Sequence, residues 1–218
     1  SGILKVGTIV TNDADAARGN IVSIGSGCYA TDDDCVVIGQ GCYTTDNDAI
    51  AIGKNAIADK YSQALGTSAN AEERYTVAIG KSAHGADWAS IAIGYDSYSK
   101  GVAIGYAASG ASDTVAIGLE ATTATRAVAI GADSDAQTYG LAIGKNSTAG
   151  SYAFALGNNT TAGAYGFALG SYTEVPASGF VIGAANDNSI LSGQFNDTAA
   201  ATNGYLLTST RFGINRTS

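Results

Sequence analysis

Methionine is absent from this sequence, histidine and proline occur once each, and charged residues make up only 14% of it. The missing methionine indicates a piece of a longer translated chain, and Ser1-Gly2 is interpreted as a tag remnant. Only 11 lysines and arginines stand against 19 carboxylates, and no basic cluster of the kind that binds phosphate backbones occurs. Nucleic acid is therefore excluded as a partner, an anionic membrane surface is disfavoured, and no segment for membrane insertion is found.

Cysteine and histidine are too few, and wrongly spaced, for a zinc site or a nucleophilic centre. Cys28, Cys35 and Cys42 lie seven residues apart, which matches no zinc motif, and His84 cannot complete one. Small buried thiols are the prediction for the three cysteines. His84 is the only candidate base and neighbours no nucleophile motif. Carboxylate-pair hydrolysis needs wider coils to form a cleft. We therefore predict no enzymatic activity and no cofactor.

What the sequence has instead is a repeat: a small residue, an isoleucine or leucine, and a glycine recur thirteen times. The repeat glycines are Gly25, Gly39, Gly53, Gly66, Gly80, Gly94, Gly105, Gly118, Gly131, Gly144, Gly157, Gly170 and Gly183. Most are 13 or 14 residues apart, but Gly94 and Gly105 are separated by 11. We expect the shortening to fall in an outer turn near Ser99 and Lys100 and to leave the strands intact.

Positions counted from each glycine, which is position 0, predict two short strands per coil. Positions −3 and −1 are large and apolar while −2 is small, as in Val77, Ala78 and Ile79, and this alternation is typical of a strand. Positions +3 and +5 are mostly small and +4 varies freely. The pattern predicts an all-β parallel roll, or solenoid, of about thirteen coils whose narrow interior admits only small residues.

The large residues at −3 and −1 should then form an apolar ridge outside the roll. Such a ridge exceeds what a monomer leaves in water, and a parallel homotrimer would bury three copies of it on one axis. The predicted trimer core consists of Ile79, Ile93, Ile104, Ile117, Ile130, Ile143, Phe154, Phe167 and Phe180.

The Val-Ala-Ile-Gly repeat over residues 21–183 resembles the head repeats of YadA-like trimeric autotransporter adhesins. That resemblance implies a left-handed parallel β-roll trimer. Residues 188–195 and 204–215 resemble segments that precede the self-cleaving intramolecular chaperone of phage tail fibres. We divide the chain into a lead-in (1–20), a repeat domain (21–183) and a C-terminal β cap or tip (184–218).

Three functions fit this organisation. The first is the distal, receptor-binding part of a bacteriophage tail fibre, placed on the virion and attaching to a host glycan or protein. The second is the head of an autotransporter adhesin, extracellular on a bacterial surface and binding host matrix or cells. The third is a structural spacer.

Two columns of side chains are candidate sites. Carboxylates at −7 (Asp32, Asp46, Asp59, Glu73, Asp87) should stack in one column. They indicate either a solvated turn or a calcium site at Asp32, Asp34, Asp46 and Asp48. Tyr139, Tyr152 and Tyr165 share position −5 and should form a ladder, either as cross-strand packing or as a platform for sugar rings. Asn196 and Asn203, in the tip, are the competing receptor contacts.

Overall fold

The computed structural model describes residues 21–184, 189–194 and 205–207. All regular structure in these residues is β-strand, and the chain divides into two compact units, Ser1–Asp113 and Thr114–Ser218. The typical coil consists of a strand leading to the glycine, a turn, a two-residue strand and a second turn. The predicted all-β parallel solenoid with two short strands per coil is confirmed.

In the first unit, the strands that lead to the glycines form one parallel sheet and the two-residue strands form another. The first sheet contains β1 (Val22–Ser26), β3 (Val36–Gln40), β5 (Ile50–Ile52), β7 (Gln63–Leu65), β9 (Val77–Ile79), β11 (Ile91–Ile93) and β13 (Val102–Ile104). The second contains β2 (Tyr29–Ala30), β4 (Tyr43–Thr44), β6 (Ile57–Ala58), β8 (Asn70–Ala71), β10 (His84–Gly85), β12 (Tyr98–Ser99) and β14 (Ser109–Gly110). Equivalent residues lie side by side, as Ile79 beside Ile93. Side chains of one position therefore form columns along the unit.

The second unit repeats this arrangement. Its first sheet contains β15 (Val115–Ile117), β17 (Val128–Ile130), β19 (Leu141–Ile143), β21 (Phe154–Leu156), β23 (Phe167–Leu169) and β25 (Gly179–Gly183). Its second sheet contains β16 (Thr122–Thr123), β18 (Asp135–Ala136), β20 (Thr148–Ala149), β22 (Thr161–Ala162) and β24 (Glu174–Val175). The parallel pattern ends at Gly183: β26 (Ser189–Gln194) pairs antiparallel with β25, and β27 (Tyr205–Leu207) pairs antiparallel with β26.

The interior holds only small side chains. Alanines at −2 are fully buried, and the residues at +3 and +5 are nearly all buried too, as predicted. The interior also has a column at −4 that the repeat pattern did not predict, with buried Ala49, Ser62, Thr76 and Ser90. Because two strands of two or three residues enclose this space, nothing much larger than valine or threonine fits inside.

The cysteines belong to these interior columns. Cys42 lies at +3 and Cys35 at −4, both fully buried, while Cys28 at +3 in the preceding coil is half-buried. The Sγ atoms of Cys28 and Cys42 are 2.8 Å apart and share a hydrogen bond. Burial, followed by this hydrogen bond, raises the pKa of Cys42 to about 12. The prediction of small buried thiols is confirmed for Cys35 and Cys42.

The repeat glycines are required by close approach between coils. Gly80 has a φ of +132°, and a Cβ built on it would lie 2.2 Å from the carbonyl oxygen of Gly94 in the next coil. No side chain can occupy that space, because the obstacle is backbone. The same contact recurs in successive coils, which explains why glycine is kept at this position of the repeat.

The length of the second turn accounts for the spacing of the glycines. Coils of 13 residues have four residues there, as in 59–62, and coils of 14 have five, as in 72–76. The 11-residue interval has two, Lys100 and Gly101, yet Ile91 still pairs with Val102 and Tyr98 with Ser109. The predicted shortening of an outer turn with both sheets intact is confirmed.

Candidate functional site: an apolar ridge and aromatic turns

The apolar ridge lies on the outer face of the sheet that leads to the glycines. Each −2 alanine is buried, so the flanking side chains at −3 and −1 point outward, as the alternation predicted. In a single chain their neighbours above and below leave them half-buried, and Ile130 is 38% exposed. The predicted core residues Ile79, Ile93 and Ile104 of the first unit follow one column, as do Ile117, Ile130 and Ile143 of the second.

Phenylalanines widen the ridge in the second unit. Phe154 and Phe167 stack with ring centroids 5.1 Å apart and planes 7° apart, and Phe180 continues their column in register. These residues sit at −3, beside the leucines and isoleucine at −1. The ridge is therefore an apolar surface without charged residues along the strands of this unit.

The predicted tyrosine ladder is present. Tyr139 and Tyr152 stack at 4.9 Å, Tyr152 and Tyr165 stack at 5.3 Å, and all three are exposed. Each tyrosine lies at the left-handed corner of its turn and therefore has a positive φ, between 57° and 60°. Such values are uncommon for residues other than glycine. The corner directs the rings outward in register.

Stacking changes what the ladder can offer a ligand. Each ring covers a face of its neighbour, so the middle ring, Tyr152, presents its edge and hydroxyl rather than a flat face. Arg126 lies over the ring of Tyr139 at 5.7 Å and donates a hydrogen bond to its hydroxyl at 2.6 Å. At the other end, position −5 of the next coil is the small Ser178, so Tyr165 retains the more accessible face.

A second aromatic group occupies the same turn in the first unit. Tyr61 and Tyr75 stack at 5.1 Å, and Tyr75 meets Trp88 edge to face at 5.7 Å. Trp88 is 65% exposed, the largest value among the large apolar side chains of the described residues. The repeat pattern does not reveal Trp88, because this residue lies at −6 and belongs to no repeated column. Its being the only tryptophan was the available signal.

The acidic residues do not form the expected continuous column. Thr45 donates from its Oγ1 to Asp59 Oδ1 at 2.6 Å, so Asp59 lies beside Thr45 rather than beside Asp46. The reason is that a four-residue turn follows a five-residue one, and counting from the glycine misaligns their first residues. The expectation of five stacked carboxylates was wrong for this reason.

Of the four predicted calcium ligands, Asp46 has partners within the chain. Its Oδ1 accepts hydrogen bonds from the Asn47 amide at 2.7 Å and from Lys60 Nζ at 3.1 Å. These contacts, the amide first, hold the pKa of Asp46 below its usual value. Asp34 and Asp48 lie at exposed left-handed corners, and Asp32 accepts from the Asp33 amide at 2.9 Å. Among the described residues, no three His, Cys, Asp or Glu side chains are placed to hold a metal ion. The calcium site stays a prediction without support from this geometry.

The remaining candidates are His84 and the two tip asparagines. His84 lies at an outward +4 position, 2.5 Å from Glu72 and edge to face with Tyr98 at 5.3 Å. Its contacts with Asn70, Glu72 and Tyr98 make a surface cluster on the second sheet. Asn196 and Asn203 lie outside the described residues, and their contact role stays a prediction.

Residues 60–83 match the YadA head domain repeat, in two copies. The YadA head repeat is a structural domain of adhesins and not an enzyme family. The same strand, glycine and turn pattern continues on both sides of the match, from Val22 to Gly183. No curated protein was found to match the chain. The described residues contain no helix that could cross a membrane.

Proposed function

We propose that this chain is a non-enzymatic, homotrimeric fibre module that binds a cell surface. The observation that carries the proposal is the apolar ridge at −3 and −1, which a single chain leaves half-exposed along each unit. Monomeric proteins rarely expose contiguous apolar patches beyond a few hundred Å². Three parallel copies would bury the ridge on a common axis, as the match to the YadA head repeat also suggests.

Cell-surface binding would use what the trimer leaves outside. The tyrosine ladder at Tyr139, Tyr152 and Tyr165 offers a row of phenol hydroxyls and one accessible ring face, suited to secondary contact with glycans or protein. The C-terminal tip, with Asn196 and Asn203, is proposed for primary recognition because non-repeated segments carry specificity more readily than repeats. Three copies around the axis would add avidity to weak individual sites.

The setting of the fibre has two candidates. An extracellular adhesin head on a bacterial surface is favoured by the YadA head repeat at 60–83. The distal part of a phage tail fibre on a virion is favoured by the sequence of residues 188–195 and 204–215, which resembles chaperone-preceding segments. The downstream region of the gene separates them, since a self-cleaving chaperone supports the tail fibre and a coiled coil with a membrane anchor supports the adhesin.

The ridge is tested by a matched pair of substitutions in one coil. Ile52 lies on the ridge and Ile57 on the outer face of the second sheet, and both are half-buried. Light scattering should give about 65 kDa for the unmodified chain, three copies of 21.7 kDa. Ile52→Asp should prevent assembly, since it would bury three unpaired carboxylates near one axis, while Ile57→Asp should stay trimeric. A stable folded monomer of the unmodified chain at micromolar concentration overturns the trimer.

Binding is tested with trimers on intact cells. One variant changes Tyr139, Tyr152 and Tyr165 to serine, and another replaces the residues around Asn196 and Asn203. We expect a modest loss from the first and a loss of more than about tenfold from the second, since tip contacts are proposed to dominate. Undiminished binding by both variants would support the spacer function instead.

A further inference from the structure

The shortened turn leaves a notch beside Trp88 on the turn edge of the first unit. In neighbouring coils the left-handed residue of each turn donates its amide to the turn before it, as Tyr75 to Lys60 at 3.3 Å and Ala89 to Arg74 at 3.0 Å. The equivalent turn of the next coil has only Lys100 and Gly101, and no residue other than glycine between Asp96 and Ala107 has a positive φ. That turn is therefore too short to place a left-handed corner residue beside Trp88.

The notch has walls on both sides. One wall is the turn of Asp87 and Trp88, the floor is Lys100 and Gly101, and the other wall is the following turn, which contains Asp113. Coils are spaced at about 4.8 Å, so the two turns on either side of the shortened one are roughly 10 Å apart. This separation leaves room for one six-membered ring, with its substituents, to pack against the indole.

At least one face of the indole is accessible. Tyr75 meets Trp88 at an interplanar angle of 77°, so a single edge-to-face contact cannot cover both faces of the indole. The Trp88 side chain is 65% exposed. Its backbone is fixed at the same time, because the Trp88 amide donates to Asp87 Oδ1 at 2.8 Å. An exposed indole beside a gap, on a backbone held by this hydrogen bond, offers a flat apolar platform with only two side-chain torsions to order.

The charges of the notch select the kind of ring. Asp87 and the exposed Asp113 flank it, Lys100 contributes one positive charge, and the whole chain carries −8. Carboxylates accept hydrogen bonds from sugar hydroxyls but repel an acidic sugar. The C–H face of a neutral pyranose, packed on the indole with its hydroxyls toward the carboxylates, matches both features.

We propose that the Trp88 notch binds a neutral pyranose, such as a β-galactoside or β-glucoside. The site gives the proposed surface-binding module a ligand class, and its biological role rests on that proposed function. The binding itself does not, since it is measured on free sugars.

Trp88 reports on its own occupancy, because it is the only tryptophan in the chain. The assembled chain is titrated with methyl β-galactoside, methyl β-glucoside and methyl β-glucuronide, and indole fluorescence is followed. We expect saturable changes with the two neutral sugars at millimolar concentration and at least fivefold weaker binding of the glucuronide, which differs from the glucoside by one carboxylate. No saturable change with either neutral sugar, or equal binding of the glucuronide, overturns the proposal.

A turn-filling variant separates the notch from a merely exposed tryptophan. Lys100-Gly101 is replaced by Ala-Thr-Arg-Ala, the four-residue turn found at 124–127, which restores a left-handed residue and keeps the net charge. Neutral-sugar affinity should fall at least tenfold with Trp88 still present, and Trp88→Ser should abolish saturation transfer from protein to sugar in NMR. Unchanged affinity in the filled variant contradicts the notch.

Acrylamide quenching identifies the competing occupant, a second copy of this chain. In the proposed site the indole of the sugar-free assembly is quenched readily and becomes protected on adding sugar. An indole already shielded before sugar is added would mean that a neighbouring protomer fills the notch, and the proposal would fall. A monomeric chain that still binds sugar would instead refute the trimer and leave the notch standing.

Discussion

At the scale of single residues, the repeat is explained by the positions at which a larger side chain would not fit. The repeat glycines with a determined contact face the backbone of the next coil at a distance that excludes any side chain, and the residue at −2, alanine in most coils, faces an interior with no room for a side chain much larger than valine. The positions at −3 and −1 face outward and vary among Val, Ile, Leu and Phe, with Gln63 as the polar exception among the described coils. The positions that contact the interior or the next coil are therefore restricted to a few small residue types, whereas the outward positions vary more.

Gly80→Ala should destabilise the chain by about 2–5 kcal/mol, from overpacking and a strained φ together. The new Cβ would lie 2.2 Å from the Gly94 carbonyl oxygen, and φ is +132°. Gly27→Asn is the control, because a Cβ there meets nothing closer than 3.9 Å and φ is +70°, which asparagine adopts readily. Urea unfolding followed by circular dichroism measures both. Equal losses for the two variants would contradict the steric explanation.

The raised pKa of Cys42, about 12 in the folded chain, predicts a loss of stability in alkali. Its ordinary value is 9.0, so between these values the unfolded chain releases the thiol proton while the folded chain keeps it. Over this range the folded chain binds more protons than the unfolded chain, so the free energy of unfolding falls as pH rises from about 9 towards 12. Cys42→Ala should remove this part of the decline, since Ala56 and Ala69 fill the same position in later coils.

The measurement is the difference in unfolding free energy between the unmodified chain and Cys42→Ala at pH 8 and pH 10.5. The advantage of the unmodified chain over the variant should shrink at the higher pH, and tyrosine titration cancels in the comparison. A difference that does not change with pH would show that the thiol does not retain its proton in the folded chain.

At the scale of elements, strands were predictable from the sequence and turns only in part. The alternation around Ala78 and the small residues at +3 and +5 depend on which way a side chain points, which a period of two determines. The −4 column was missed because Ala, Ser, Thr, Cys and Gly share it, and small residues of mixed polarity look like turn residues. Asp59 was misplaced because turn length, rather than distance from the glycine, sets its neighbours.

The binding sites show the same division. The ladder of Tyr139, Tyr152 and Tyr165 follows the period and was predicted, whereas the way its rings cover one another needed coordinates. Trp88 was missed because a feature present in one coil carries no periodic signal. The shortened turn near Lys100 was predicted from the length of the interval after Gly94, but the exposure of Trp88 in the turn before it was found only in the structure.

At the scale of the whole molecule, folding and assembly should be coupled. Each coil has an interior of alanine-sized residues, which bury little apolar surface per residue, so much of the hydrophobic stabilisation must come from the ridge. If three chains supply that burial, mass action makes the unfolding midpoint depend on protein concentration. A monomeric solenoid would show no such dependence.

Thermal unfolding of the unmodified chain should therefore shift upward by several degrees when the concentration is raised a hundredfold, as expected for a trimer in equilibrium with unfolded monomers. Ile117→Asp, in the predicted core, should lower the midpoint sharply and abolish the concentration dependence, because charge repulsion prevents the ridges from meeting. Ile57→Asp, on the outer face of the second sheet, should retain the dependence of the unmodified chain. Calorimetry at matched concentrations of the three proteins provides the measurement. A midpoint that does not move with concentration in the unmodified chain, under reversible unfolding, would mean that the ridge is stable in water without partner chains.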